Sequence, residues 1–383
     1  MFIVLNLRIT LDPYDLWSTP FGIRTRQLFY RGDIFGKFGA IVIALADWLL
    51  PMTSRRLLGA QLRPYPILSA HCLLQNVHEK KLTTGREALN ELKKQVVGLP
   101  ETAGWGLGFP WMSKNGLYGS EVPFATHTPY AMEALLHIAE DEMCRDEAMV
   151  LFQRTFPFLE SLKVMAEECD KIALSYAPVD EPRIVVNANS YAAFAYAMHA
   201  VHGREEVRTT AREKAFRLLR WTLDQQEASG RWWYYADQEP GNFIDGFHSC
   251  FVVKNLIKVR RLLPEANAIV DGAIEKGWHY IRTELYDPEA GLCRRFTVRS
   301  HRDPYRWDLY DQAEYLGLLV DFGLLDEAHK FAARVEQKFK KGDHWYCRVD
   351  IMGRRWGRDF LRWGIAPFWY QRARLECALN GGK

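Results

Sequence analysis

The 383-residue sequence lacks the patterns that identify metal, disulfide and nucleotide sites. Its seven cysteines are scattered and none forms a CxxC pair, which is poor spacing for a metal site. An odd number of cysteines suits a reducing compartment better than a disulfide framework. No glycine-rich phosphate loop follows a strand-like segment, so a dinucleotide-binding fold is not indicated. We therefore predict no metal and no cofactor.

A strong charge of either sign is missing as well. The sequence has 50 Lys and Arg residues against 47 Asp and Glu residues, so its net charge of +3 gives no indication of nucleic-acid binding. The first residues, MFIVLNLRITLDPYDLW, lack the basic start, long apolar centre and small-residue cleavage site of a signal peptide. With 48% hydrophobic and 25% charged residues, the composition is that of a soluble globular protein. We expect a cytoplasmic protein that does not bind nucleic acid.

The sequence also has no apolar run of membrane-spanning length. The segment FGAIVIALADWLLP (residues 38–51) has 14 residues and is interrupted by Asp47, whereas a span needs about 20 residues. Basic residues flank it on both sides: Arg24, Arg26, Arg31, Lys37, Arg55 and Arg56. We favour a buried first helix of the fold. The alternative is peripheral contact with the acidic surface of the inner membrane through residues 38–51.

What the sequence does contain is a repeat of about sixty residues. Six apolar segments each follow a loop rich in aromatic and polar residues. They begin at Tyr65, Pro123, Asn187, Asn242, Arg306 and Asp359, and the steps between them are 58, 64, 55, 64 and 53 residues. This period is close to the length of two helices plus two loops, and periodicity on this scale indicates a repeat architecture.

Amphipathic segments alternate with the apolar ones. Examples are REALNELKKQVVGL and DEAHKFAARVEQKFKK, whose apolar residues are spaced by three and four. Six apolar helices surrounded by protein and about six amphipathic helices with one side in water predict an all-α (α/α)6 toroid with an inner and an outer ring. The strand-like pieces RWWYYAD, GLCRRFTVR and DHWYCRV predict short β-hairpins at one rim. We expect an N-terminal extension (residues 1–35) packed on a single toroid domain (residues 36–383).

The polar loops precede the inner helices, so they are expected to meet at the rim where those helices begin. Asp245 and His248, three residues apart on one helix face, form the best general acid–base pair in the chain. Asn187, Asn189 and Tyr191 could neutralise a substrate carboxylate and move a proton. The structural alternatives are helix-capping Asp and Asn residues and a histidine packed among aromatics.

A carboxylate group lies in the fifth opening. Asp308, Asp311 and Glu314 have three-residue spacing, and paired carboxylates can raise one another's pKa and serve in glycosidic hydrolysis. We select Asp311 as a catalytic candidate and Asp308 as a substrate-binding one. Capping of the helix by Asp308, or pairing with Arg302 and Arg306, is the structural alternative.

Aromatic and cationic residues complete the predicted site, because flat apolar faces beside hydrogen-bonding groups suit sugar rings. The candidates are Trp105, Trp111, His127, Tyr130, Trp232, Trp233, Trp363, Arg306, Arg358 and Arg362. Arginines of this kind recognise carboxylate or phosphate groups, which suggests an acidic or phosphate-linked saccharide as partner. A solvated, salt-bridged surface is the alternative for the arginines.

The ordered set GFPW, PFATHTPYAMEALL, NANSYAAF and the Asp-Gly-Phe-His segment resembles bacterial polysaccharide-biosynthesis proteins of the VpsJ type over residues 65–375. That group is similar in turn to the toroids of uronyl 5-epimerases and polysaccharide lyases. The run from Asn187 to Tyr191 is similar to the Asn-Asn-His-Ser-Tyr motif of alginate lyases, with Ala188 and Asn189 at the two positions that differ. The resemblance implies an α/α toroid that functions in capsule, exopolysaccharide or O-antigen synthesis.

These observations favour a carbohydrate-active enzyme that abstracts a proton from an acidic sugar of a bacterial surface polysaccharide or its lipid-linked precursor, as an epimerase or lyase. His248, Asp245, Tyr191, Asn189 and Asp311 are the predicted catalytic residues. The first alternative is a glycoside hydrolase with a carboxylate pair. The second is a non-catalytic glycan-binding component of a membrane-associated synthesis complex.

Overall fold

The computed structural model describes residues 9–300 and 302–381, with the side chains of residues 82–84 left out. Six helices form a closed inner ring in which each packs on the next and the last packs on the first. They are α4 (Pro66–His78), α6 (Thr128–Ile138), α9 (Val186–His202), α11 (Gly246–Leu262), α13 (Leu309–Asp321) and α15 (Ala366–Leu379). Their first residues are 62, 58, 60, 63 and 57 positions apart, which confirms the predicted repeat.

An outer ring surrounds them. It includes α5 (Leu82–Lys94), α7 (Glu142–Gln153), α10 (Glu205–Asp224), α12 (Asn267–Tyr280) and α14 (Leu325–Phe339), each packed on the inner helix that precedes it in the chain. A short helix, α8 (Thr155–Ser161), follows α7. The all-α (α/α)6 toroid predicted from the sequence is therefore confirmed.

The two rings differ in burial as their sequences predict. In α9 every residue from Val186 to His199 is buried, because the helix has protein on all sides. In α14 the buried residues are Ala328, Phe331, Ala332, Val335 and Phe339, which follow the three-and-four spacing of a helix with one wet face. Burial on one face of α14, and all around most of α9 and of α13, contributes to one large hydrophobic core within the ring.

Short antiparallel pairs join the helices. They are β1 (Trp111–Ser113) with β2 (Gly116–Tyr118), β3 (Val164–Glu168) with β4 (Lys171–Leu174), β5 (Ile244–Asp245) with β8 (Phe296–Val298), and β6 (Tyr286–Asp287) with β7 (Leu292–Cys293). In a larger sheet, β11 (His344–Asp350) pairs with β9 (Tyr305–Asp308), β10 (Lys340–Lys341) and β12 (Arg355–Arg358). The predicted strand RWWYYAD is wrong: it forms a loop with one isolated bridge, from Tyr235 to Val185.

Three helices precede the ring: α1 (Pro20–Tyr30), α2 (Ile34–Leu49) and α3 (Pro51–Leu57). The predicted domain boundary between residues 35 and 36 falls inside α2. The favoured interpretation of this apolar segment as a buried helix is wrong, since only Gly36, Ile43 and Asp47 are buried along α2. Within residues 9–300 and 302–381, no helix combines the length and the apolar character needed to cross a bilayer.

Two histidines buried in the inner ring predict acid sensitivity. Burial lowers the pKa of His71 in α4 and of His199 in α9 to about 3. An unfolded chain has ordinary histidines of pKa about 6.5, so it binds more protons than the folded chain between these values. The stability that each neutral histidine confers is therefore complete above pH 6.5 and is lost as the pH falls toward 3. At pH 5 the free energy of unfolding is lower by about 2 kcal/mol for each of these two histidines.

Urea unfolding at pH 7 and pH 5 tests this prediction. Between pH 7 and pH 5, we expect the free energy of unfolding of His199→Gln to fall by about 2 kcal/mol less than that of the unsubstituted protein. Replacement of the exposed His279 by glutamine is the matched control and should leave the pH dependence unchanged. Equal pH dependence in the His199 variant would show that this histidine is protonated in the folded state.

Candidate active site

The rim where the inner helices begin, which we call the mouth of the ring, brings the predicted polar openings together. Asp311 of α13 accepts a hydrogen bond from the backbone N–H of Phe247 in α11 (2.8 Å). Trp363, just before α15, donates its indole N–H to Asp308, the N-cap of α13 (2.9 Å). These contacts cross from one repeat to the next, as the convergence of parallel inner helices requires.

Asp245 and His248 form the predicted pair. His248 Nδ1 lies 2.9 and 2.8 Å from the two carboxylate oxygens of Asp245. Asp245 also caps α11 by accepting the backbone N–H of His248 (3.1 Å), so one carboxylate fixes both the helix end and the ring. Its side chain is 4% exposed and that of His248 is 21% exposed. The buried carboxylate of Asp245 thus orients the imidazole through Nδ1. The other ring nitrogen, Nε2, makes no bond to Asp245.

This pair lines a narrow cleft with about 10 Å³ of free volume, about the room of one water molecule. Trp232, Trp233, Tyr234 and Phe243 provide its aromatic walls. The Tyr234 ring packs 4.6 Å from the imidazole, centroid to centroid, and its hydroxyl has a pKa raised well above the usual value by burial. Ligand sites usually measure 300–1,000 Å³, so binding of a sugar residue requires the aromatic walls of this cleft to move apart.

The two asparagines of the third opening have different surroundings. Asn187 lines the cleft, and its buried Oδ1 has no hydrogen-bond partner in the described part of the chain. Asn189 is committed to backbone groups: its Oδ1 accepts from Leu174 N (2.7 Å) and its Nδ2 donates to Leu174 O (3.2 Å) and Val185 O (3.0 Å). Asn187 therefore has an unpartnered buried acceptor beside the cleft, while Asn189 attaches β4 to the start of α9.

Tyr191 and Tyr130 belong to a buried network in the centre of the ring. Their hydroxyls are 2.7 Å apart, and Lys254 Nζ lies 2.7 Å from the Tyr130 oxygen and 3.2 Å from the Tyr191 oxygen. The ammonium also pairs with Glu314 at 2.7 Å. Burial, followed by the charge of Glu314, raises the pKa of both tyrosines well above its usual value. The network does not reach the Asp245–His248 cleft.

The carboxylates of the fifth opening are buried as well. Asp308 caps α13 through Tyr310 N (3.0 Å) and pairs with Arg348 (2.8 Å), so its capping role is confirmed. Asp311 has one oxygen on Phe247 and a second oxygen without a partner in the described chain. Burial, followed by the charges of Asp308 and Asp245, raises the pKa of Asp311 well above its usual value, which favours the neutral acid.

Part of the mouth is covered by residues 9–63, which we call the N-terminal cap. Arg362, a predicted substrate ligand, instead makes a bidentate pair with Asp12. The ring of Tyr14 lies 5.1 Å from Trp363 and 4.7 Å from Trp111, centroid to centroid. The three predicted mouth residues Trp111, Arg362 and Trp363 therefore contact the cap.

The remaining predicted residues lie in four different places. Trp105 is fully buried and donates its indole N–H to Leu92 O (2.9 Å). Burial, followed by the charge of Arg362, lowers the pKa of His127 to about 3. Arg306 lines a separate surface cavity with Arg334 and Lys338. Arg358 is exposed on β12.

Sequence reasoning missed three groups of residues. Lys254 could have been found, because a lysine in the apolar segment SCFVVKNL requires a buried partner. Tyr234 lies in the RWWYYAD segment already singled out for its tryptophans. Asp12 and Arg348 gave no signal, since Asp12 pairs with a residue 350 positions away and only the closed ring brings the two together.

The comparisons with known proteins support the architecture. No protein-family model matches the sequence, and no curated protein is similar to it. A solved sugar epimerase from a ruminal bacterium is similar in structure with a TM-score of 0.61 and 14% identity, covering 84% of this chain and 90% of that one. Cellobiose 2-epimerase from Bacillus thermoamylovorans gives 0.60 and 12%, covering 83% and 88%. A GH76 α-mannanase from Bacteroides thetaiotaomicron gives 0.57 and 11%, covering 82% and 86%. At such identities the likeness shows the shared toroid fold.

Proposed function

We propose that the protein is a carbohydrate-active enzyme that inverts a carbon centre of a sugar by proton abstraction, with His248 as the base. The observation that carries the proposal is the Asp245–His248 pair, which lines an aromatic cleft beside the unpartnered Asn187 Oδ1. The structural similarity to sugar epimerases adds support, because those proteins place sugar chemistry on the same fold.

The proposed step uses the groups in the cleft. His248 Nε2 takes a proton from a carbon next to a carbonyl or carboxyl group, and the electron pair of the broken C–H bond moves onto that group's oxygen. Asp245 stabilises the imidazolium that forms, as a carboxylate on the other ring nitrogen does. A solvent-derived proton then adds to the opposite face of the same carbon as the electron pair returns from the oxygen, which gives the epimer, and His248 releases its proton to the solvent. Asn187 and the tryptophans position the ring.

The positions of the carboxylates favour proton abstraction over hydrolysis. A glycosidase needs two carboxyl groups on either side of the bond that it cleaves. Among the described residues that line the cleft, Asp245 is the single carboxylate, and it is held by His248. Asp308 and Asp311 are buried under the mouth, 1% exposed each. We therefore propose an epimerase in preference to a hydrolase.

The chemical nature of the sugar follows from the lining of the cleft. In the described part of the chain no arginine lines it, so the cleft itself suits a neutral ring. An acidic or lipid-linked phosphate group would lie outside it. The resemblance to polysaccharide-biosynthesis proteins supports a function in the synthesis or modification of a bacterial surface polysaccharide, and we retain that context as part of the proposal.

Incubation in deuterated water tests the proposed function. The panel contains cellobiose, mannose, glucose and a uronate oligosaccharide, and the products are followed by NMR and mass spectrometry. We expect one sugar to gain a single deuterium at the inverted carbon, because the proton that adds to the opposite face comes from the solvent. Formation of an unsaturated product would indicate a lyase, and chain cleavage without deuterium at carbon would indicate a hydrolase. Binding without any reaction would favour a glycan-binding protein.

A further inference from the structure

The N-terminal cap exposes an unusually apolar helix face. The most exposed side chains of α2 are Ile34, Phe35 and Phe38, at 74%, 76% and 67%. The other exposed large apolar residues of this helix are Ile41, Val42, Leu45 and Leu49. Their spacing places them along one side of α2, while Gly36, Ile43 and Asp47 are buried on the other. Contiguous apolar surface of this kind marks an interaction site on a soluble domain.

Exposed apolar side chains also occur on the neighbouring helices of the cap. In α1, Phe21, Phe29 and Tyr30 are exposed, and in α3 and just after it Leu57 and Leu58 are exposed. Gly36 allows a close approach of α1 and α2, since a Cβ there would lie 2.2 Å from Phe29 N. The apolar residues therefore belong to one packed helical unit.

Positive charge accompanies the apolar face. Arg24, Arg31, Lys37 and Arg56 are exposed in the cap. The acidic residues between positions 20 and 63 are Asp33 and Asp47. Asp33 caps α2 by accepting Phe35 N (2.8 Å), and the buried Asp47 pairs with Arg55 (2.5 Å). The exposed charge of this surface is therefore cationic, which complements anionic lipid headgroups.

The cap is firmly attached to the mouth. Trp48 donates its indole N–H to Asp350 (3.1 Å), and Trp356 donates to Asp47 O (2.8 Å). Arg26 donates to Met112 O (3.0 Å) and its guanidinium lies 3.9 Å from the centroid of Trp111. With the Asp12–Arg362 pair, these contacts attach the cap to the loops before α6 and α15. A surface bound to α1–α3 therefore lies on the mouth side of the ring.

We propose that α1–α3 bind the surface of an anionic lipid bilayer, with the apolar side of α2 inserted at the headgroup boundary and the mouth of the ring turned toward the membrane. A helix of 16 residues in the plane of the interface needs no spanning length. The inference stands on the cap alone and does not depend on the reaction in the cleft. Combined with the proposed function, it favours a sugar carried on a lipid.

Vesicle co-sedimentation of the full chain tests the proposal. The vesicles are pure phosphatidylcholine, or the same lipid with a third phosphatidylglycerol. We expect the unsubstituted protein to bind the anionic vesicles at least tenfold more tightly than the phosphatidylcholine vesicles, because each basic residue near the lipid contributes roughly fivefold and two of the four are enough to exceed tenfold. The variant Phe35→Ser/Phe38→Ser/Ile41→Ser should lose binding by at least 100-fold, roughly tenfold for each apolar side chain that no longer inserts.

A matched control separates this effect from a general loss of surface hydrophobicity. Met143 and Val150 are exposed apolar residues of the outer helix α7, and Met143→Ser/Val150→Ser should bind vesicles like the unsubstituted protein. Both variants change exposed residues, so thermal unfolding should be unaffected. Equal binding by the α2 variant, or no binding by the folded unsubstituted protein, would overturn the proposal. The proposal would also be overturned if the protein bound no vesicles and instead formed a dimer that the α2 substitutions converted to monomers. Deuterium exchange into a soluble sugar is measured without vesicles, so failure of either proposal leaves the other testable.

Discussion

His248→Asn is expected to lower the rate of deuterium incorporation into the sugar by about 10²–10⁴-fold, the usual contribution of a general base. The imidazole is the titratable group that combines a buried carboxylate partner with access to the aromatic cleft. Circular dichroism should be unchanged, because asparagine can still hydrogen-bond to Asp245; the unfolding temperature should fall slightly, because the contacts of the imidazole with Tyr234 and Phe247 are lost. The measurement is single-substrate turnover followed by NMR.

The variant Asp245→Asn tests whether Asp245 acts on the His248 imidazole or only stabilises the fold. The asparagine can still cap α11 but cannot stabilise an imidazolium, so turnover should fall and the low-pH limb of the pH–rate profile should shift. A purely structural aspartate would change stability without moving that profile. His279→Asn, on the exposed side of α12, is the control and should retain full activity. Normal turnover by the His248 variant would remove the cleft from the proposed mechanism.

Lys254→Met is expected to destabilise the folded protein by about 3–5 kcal/mol, the usual cost of leaving one member of a buried ion pair without its partner. Lys254 and Glu314 are 3% and 1% exposed, and the ammonium also donates to the Tyr130 hydroxyl. Burial lowers the pKa of Lys254, and the charge of Glu314 opposes that shift, so Glu314 helps to keep Lys254 charged. Urea unfolding at pH 7 measures the loss.

The double variant Lys254→Met/Glu314→Leu tests the physical reason. Removal of both charges should recover most of the stability, because an apolar pair of similar volume fills the same space without desolvation cost. The interaction energy from the double-mutant cycle should then be at least about 2 kcal/mol. Lys276→Met, at an exposed position of α12, is the control and should change stability by less than about 0.5 kcal/mol. A single variant as stable as its control would mean that the ammonium is not charged in the folded state.

The N-terminal cap covers part of the mouth and thereby limits access to it. Several residues that the sequence placed at an open mouth, among them Trp111, Arg362 and Trp363, contact Tyr14 or Asp12 of the N-terminal segment. The Asp245–His248 cleft lies apart from these contacts, between the third, fourth and fifth openings. Membrane binding through the cap would bring the ring to the lipid surface while this cleft remains available.

The sequence alone predicted the toroid and the proximity of Asp245 and His248. Both are local properties: a helix surrounded by protein must be apolar on every side, and Asp245 and His248 are one helical turn apart. Tertiary structure decided which remaining candidates face a ligand. Asn187 and Asn189 differ by two positions, yet one lines the cleft and the other bonds to β4, because an α-helix turns about 200° over two residues.

Long-range pairing determined the rest. Arg362 was expected to bind substrate, but its partner is Asp12 at the other end of the chain, and no local pattern records a contact across 350 residues. The exposure of α2 could not be predicted from the sequence either, since an apolar segment of 14 residues has the same pattern whether it packs in a core or faces outward. Closure of the ring brings α15 against α4 and thereby places the N-terminal cap on the mouth. Composition and spacing specify which residues must be buried or paired, and only the closed ring specifies with which partner.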